Sequence, residues 1–101
     1  MRSILQTEKE CYLCGSTQNL ECHHIFFGNA LRPISDKYGL KVWLCAFHHR
    51  DQKHGAHGNR EVDLLLKRAA QKAFEKKHGH KRFMEVIRRN YLEDDKDGEE
   101  S

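Results

Sequence analysis

Apolar and polar positions change their period several times along this chain. Leu20 to Ile25 and Leu40 to Cys45 are short runs rich in strand formers, and Leu40-Lys-Val-Trp-Leu-Cys45 alternates apolar and polar residues at its start, so both are predicted as strands. Between them, Phe26 to Gly39 holds two glycines and the only proline, Pro33, and reads as a loop. A loop that long in a compact domain points to function. Ala46 to about His54 is predicted as a short helix closed near Gly55, followed by a turn from His54 to Asn59. From Glu61 the period becomes helical: Val62, Leu65, Leu66, Ala69, Ala70, Ala73 and Phe74 share one face, with Asn59 as cap and Gly79 as stop. Phe83, Met84, Ile87 and Tyr91 continue a helical period to about Leu92. Residues 1–10 show only Ile4 and Leu5 as apolar positions and read as an extended lead-in, and no internal repeat is present. The expectation is one small α+β domain over residues 1–92, a β-hairpin with a short helix followed by two C-terminal helices.

Composition adds a constraint on stability. At 101 residues, 38% hydrophobic and 33% charged, the chain can bury only a modest core and needs a further source of stability. Charge is unevenly placed. The net of +3 includes Glu93, Asp94, Asp95, Asp97, Glu99 and Glu100 in the last nine residues, opposed there only by Lys96. Residues 1–92 therefore hold 17 basic against 9 acidic side chains, a net of +8. Such a body suits a phosphate-bearing partner, the alternative being an ordinary solvated surface. The acidic segment 93–101 is predicted to be disordered, as a solubilising tail, a shield for the basic surface or a contact for another protein. No apolar run approaches the roughly 18 to 20 residues of a membrane span, and the first ten residues lack a signal-like stretch. Neither membrane insertion nor secretion is expected, and the cytoplasm is the expected location.

Candidate chemistry lies in four cysteines and eight histidines. Cys11-Tyr-Leu-Cys14-Gly15 has the spacing and following glycine of a zinc knuckle, and Cys45-Ala-Phe-His48 repeats that spacing. Cys11, Cys14, Cys45 and His48 are thus predicted as a closed structural Cys3His zinc site, the alternatives being two disulfides or four buried thiols. Cys22 falls outside the set and reads as a small buried residue. His23 and His24 are adjacent on a strand, so they point to opposite faces and should have different roles. His49 follows His48 on a helix, turned about 100° from it, which aims it at a second site. His54 and His57 lie just beyond, and each histidine has an ordinary reading as a surface or core polar group. His78 and His80 flank Gly79, where a cation suits a helix end.

In combination, these residues resemble the His-Asn-His (HNH) nucleases of the ββα-metal type, particularly a compact group encoded in phage genomes. The pattern of that family, C-x-x-C, a strand ending in Asp/His-His-Ile, a loop, then Leu-Cys-x-x-Cys/His-His, is met by Cys11-x-x-Cys14, His23-His24-Ile25 and Leu44-Cys45-x-x-His48-His49. Phe74-Glu75, Gly79-His80, Phe83-Met84 and Asn90-Tyr91-Leu92 also look like the helical end of the phage group. The resemblance implies a zinc-stapled ββα-metal core and a phage-encoded DNA endonuclease in the cytoplasm of a bacterial host, with a phage or host protein as the partner the acidic tail could contact. It makes His24 the general base and makes His23 and His49 ligands of one catalytic divalent ion (Mg2+, Mn2+, Ni2+ or Zn2+), with His57, ahead of His54, completing the shell. An imidazole with a pKa near 6.5 takes a proton at neutral pH, and a cation stabilises charge on the leaving 3′ oxygen. One position departs from the pattern. The middle Asn falls on Leu40, beside Gly39, where the family uses it to brace the hairpin loop; Asn29 is a candidate replacement.

Arg32 and Lys37 in the loop, with Arg50 and Lys53 around the His49 helix, are candidate contacts to the DNA backbone. Such contacts give affinity with little base specificity. Lys67, Arg68, Lys72, Lys76 and Lys77 on the long helix are either further DNA contacts or a solvated face. A zinc module that binds DNA or a protein without cutting, its histidines degenerate, is the alternative to the enzyme.

Overall fold

The computed structural model describes residues 1–92; the acidic segment 93–101, expected above to be disordered, lies outside the described residues. Element order is β1 (Leu20–His24), α1 (Arg32–Tyr38), β2 (Lys41–Cys45), α2 (Ala46–Arg50), α3 (Arg60–His78) and α4 (His80–Val86). The two strands form one antiparallel sheet in which Leu20 faces Cys45, His23 faces Val42 and His24 faces Lys41. The chain is thus a mixed α+β fold with a two-stranded sheet and four helices.

Alternation on the hairpin decides what each face does. Val42 and Leu44 are fully buried beside His23, and they join Ile25, Phe26, Leu40, Leu66, Ala70, Phe74 and Phe83 in the core. Phe83 packs edge-on against both Phe26 and Phe74, at 5.8 and 5.5 Å between ring centres, which ties α3 and α4 to the end of β1. Each fully buried Leu, Ile or Phe contributes about 1.5–3 kcal/mol relative to exposure. The N-terminal segment docks on this unit: the Ile4 N–H donates to Gly39 O at 2.9 Å, and the Gln6 side chain accepts from the Trp43 N–H.

The predicted loop 26–39 contains a helix, α1. Pro33 stands in its first turn, where the missing N–H costs nothing, and Gly39 ends it in the left-handed region at φ 71°. Proline and glycine therefore mark the two ends of an element here. Ser35, fully buried, fastens α1 to the chain after β1: its hydroxyl accepts from the Phe26 N–H at 3.0 Å and donates to the Phe26 carbonyl at 2.7 Å. Leu40, at the position of the family's Asn, is fully buried, and its N–H donates to Ser35 O. Ser35 thus braces the connection between the strands. Asn29 lies exposed, on the wall of an open cavity.

Two helix ends and one buried face differ from expectation. Helix α2 stops at Arg50 because Asp51 turns extended and its carboxylate accepts from the Lys53 and His54 N–H groups. Helix α3 begins where predicted, the Asn59 side chain accepting from the Glu61 and Val62 N–H groups, but its buried residues are Leu66, Ala70, Gln71 and Phe74, and Leu65 is exposed. Helix α4 ends at Val86 and Arg88 takes φ 67°, so the chain folds back. Gln71 holds the returning segment from inside the core, accepting from the Tyr91 N–H and donating to Asn90, both at 2.8 Å. Cys22 is half-buried, its sulfur 3.3 Å from Met1 Sδ. His78 lies in the last turn of α3, where a cation suits the helix end, and packs on Phe74 and Tyr38, while His80, the first residue of α4, pairs with Glu75 at 2.6 Å. Among the described residues, no helix is long and apolar enough to cross a membrane.

Candidate metal centres

Two side-chain clusters could each hold a metal ion. The first joins the turn before β1 to the start of α2: the ligand atoms of Cys11, Cys14, Cys45 and His48 lie within 4.8 Å of one another. Cys14 Sγ is 3.8 Å from Cys45 Sγ, Cys11 Sγ is 3.8 Å from His48 Nδ1, and Cys45 Sγ is 3.4 Å from the same nitrogen. Ligands bound to zinc at about 2.3 Å (sulfur) and 2.0–2.1 Å (nitrogen) in a tetrahedron are separated by roughly 3.5–3.8 Å, so these edges fit the ion. All four cysteines are free, and 3.8 Å is far from a disulfide bond length.

Electrostatics favour a cation at this cluster. Burial raises the Cys11 thiol, but the N–H groups of Cys45, Cys14 and Leu13 overcome it and bring the pKa down to about 6. At Cys14 the Ser16 N–H acts to lower the pKa, yet desolvation and the crowding of Cys11 and Cys45 outweigh it, and the net shift is upward. Crowded thiolates repel one another, and a bound cation relieves that repulsion. The residues fit a structural zinc, which would be held by three thiolates and an imidazole.

A second cluster lies on the other side of α2. His23, His49 and His57 bring their ring nitrogens within 4.8 Å of one another, with ring centres 5.1, 5.0 and 4.8 Å apart. His23 is 1% exposed, and its Nε2 has no hydrogen-bond partner. An unpartnered buried nitrogen is costly unless something electrophilic meets it. Burial, then the neighbouring His49 and His57, lowers the His23 pKa to about 3; burial and His49 also lower that of His57, with Asp63 opposing. Both rings are therefore neutral donors at pH 7, and the set suits a divalent transition metal better than Mg2+, which prefers oxygen.

The orientation of His49 comes from a residue that the sequence reading did not single out. Glu21 Oε1 accepts from His49 Nδ1 at 2.6 Å, leaving Nε2 as the ring's donor toward a metal. Glu21 lies two residues before His23 on β1 and therefore on the same face, so strand alternation was a usable signal. Its pKa is held down at about 2 by Arg50 and then His49. The Arg50 guanidinium is paired with both Glu21 oxygens, so this predicted DNA contact is engaged within the protein.

His24 points to the other face of β1. Its Nε2 lies 2.8 Å from Asp36 Oδ1 on α1, and Lys41, opposite His24 on β2, donates to the same oxygen at 3.0 Å. His23, His24, Asp36, His49 and His57 line one open cavity of about 590 Å3, with Phe27, Asn29 and Arg32 among its walls. Lys37 and Lys53 are exposed away from it; His54 stacks on Phe47 and pairs with Asp51 at 3.0 Å, apart from the cluster. Asp36 could not be placed without α1, which the proline and glycines disguised. Comparison of the chain with family models, curated proteins and solved structures finds no match.

Proposed function

We propose that β1, β2 and α2 form a zinc-stapled ββα-metal core and that the chain is a metal-dependent DNA endonuclease of the HNH type with little base specificity. The observation that carries this reading is the fully buried His23 Nε2, unpartnered and facing His49 and His57, in the same cavity as the carboxylate-paired His24. A divalent ion bound by His23, His49 and His57 would supply a positive charge against a phosphate oxygen and the leaving 3′ oxygen. His24 takes a proton from the attacking water. Arg32, on the cavity wall, is placed to meet a neighbouring phosphate. Ser35, by bracing the segment that Leu40 leaves without an Asn, holds the end of β1 and with it His24.

The test is cleavage of supercoiled plasmid by zinc-loaded protein with Mn2+, Ni2+, Zn2+, Mg2+ or EDTA, beside His24→Ala. Cleavage that requires added metal, is weakest in Mg2+, and falls about 10^2- to 10^4-fold in His24→Ala is expected. Salt-sensitive DNA binding without cleavage in any ion would instead favour the second reading, a non-cutting zinc module, for which Leu40 in the Asn position is the argument.

A further inference from the structure

We propose that Asp36 is a positioning residue for His24, fixing which ring nitrogen carries the proton and which accepts one; this rests on the reading of His24 as general base. A carboxylate can only accept, so the nitrogen 2.8 Å from Asp36 Oδ1, Nε2, must carry hydrogen. In the neutral ring the lone pair is then confined to Nδ1. When Nδ1 takes a proton from water, the resulting hydroxide forms the new O–P bond as the P–O bond to the leaving oxygen breaks, and that oxygen is protonated by solvent. The imidazolium so formed still donates through Nε2 to Asp36, whose charge opposes it.

Both ends of this contact are anchored. His24 and Lys41 face each other across the strands, share one face of the sheet, and converge on the same carboxylate oxygen. Asp36 follows Ser35, whose two hydrogen bonds to Phe26 lock α1 two residues beyond His24. The imidazole is nearly buried, with 14% of its side chain exposed, whereas 53% of the Asp36 side chain is exposed. Solvent therefore screens the charge pairing, and orientation of the ring is the larger effect.

The experiment compares wild type with Asp36→Asn, Asp36→Ala and Asp36→Glu, each loaded with zinc, by two readouts. Ring-nitrogen NMR, with His24→Ala identifying the resonance, is expected to show the Nε2–H tautomer in wild type and a shift toward the mixed population of free imidazole in Asp36→Ala. Plasmid cleavage in Mn2+ is expected to show kcat lower by roughly 10- to 100-fold in Asp36→Asn, a share of what a placed base supplies, with KM unchanged. Asp36→Glu should recover part of the loss, and Asp36→Asn should add nothing in a His24→Ala background. An unaltered tautomer in Asp36→Ala, wild-type kcat in Asp36→Asn, or an equal loss with and without His24 overturns the proposal while the nuclease stands. A wild type that cleaves in no ion overturns the nuclease reading, and this one with it.

Discussion

Replacing Ser35 by alanine tests whether this side chain braces the long connection between the strands. In the native protein its hydroxyl both accepts from and donates to the Phe26 backbone, at 3.0 and 2.7 Å, and the residue is fully buried. Alanine fits the space but leaves the Phe26 N–H and C=O without that partner in a place water does not reach. Each of the two groups so stranded costs about 1–3 kcal/mol, so a loss of roughly 2–6 kcal/mol is expected, against about 5–15 kcal/mol for a whole domain. For a domain of this size each kcal/mol corresponds to roughly 4–8 °C, placing the fall in Tm between about 8 and 48 °C. Scanning calorimetry with zinc in slight excess measures it. Ser16→Ala is the control, because that hydroxyl accepts only an exposed Gln18 N–H and its loss should be worth about 0.5 kcal/mol or less. A Ser35→Ala protein within 1 kcal/mol of wild type, or no worse than the control, would refute the bracing role.

Two further predictions concern the metals. Cys11→Ser should lose the tightly held zinc and the cooperative thermal transition, since structural zinc contributes on the order of 10 kcal/mol to domains this small; full zinc content with an unchanged Tm contradicts the site. Glu21→Ala should weaken Ni2+ or Mn2+ binding at the three-histidine cluster by about 10- to 100-fold in titration while leaving the Cys3His zinc in place, and unchanged affinity would show that His49 needs no carboxylate to orient it.

Legibility of the chain followed spacing along the sequence. The two knuckles were readable because a closed tetrahedral site imposes its spacing on adjacent residues, and α3 was readable because its period is long and Asn59 caps it. Strand alternation separated His23 from His24, and the same rule would have delivered Glu21. What escaped depends on contacts between distant segments. Helix α1 has seven residues, of which only Ser35 is buried, so its hydrophobic period is too short to read. The apolar stripe of α3 was broader than the face that α4 and the hairpin cover, which leaves Leu65 at the surface. Gln71, polar yet fully buried, violates the period because it serves the backbone of the returning C-terminal segment.

The two metal clusters are mechanically one device. Helix α2 has only five residues, too few to persist on helical propensity, and it makes its contacts with β1 and β2. What holds it lies at its ends and flank: Cys45 and His48 belong to the cysteine cluster, and His49 and Arg50 reach Glu21 on β1. Consecutive residues of one helical turn therefore belong to different clusters, His48 to one side and His49 to the other. A zinc held by Cys45 and His48 would fix the start of α2, and Glu21 fixes its rotation. His23, already seated in the core, needs no such help, and His57 arrives on the turn whose N–H groups bond to His48 and His49 carbonyls. A zinc held at the cysteine cluster would thus set the position of two of the three imidazoles in the second cluster, which would let a domain with so small a core present a preorganised site.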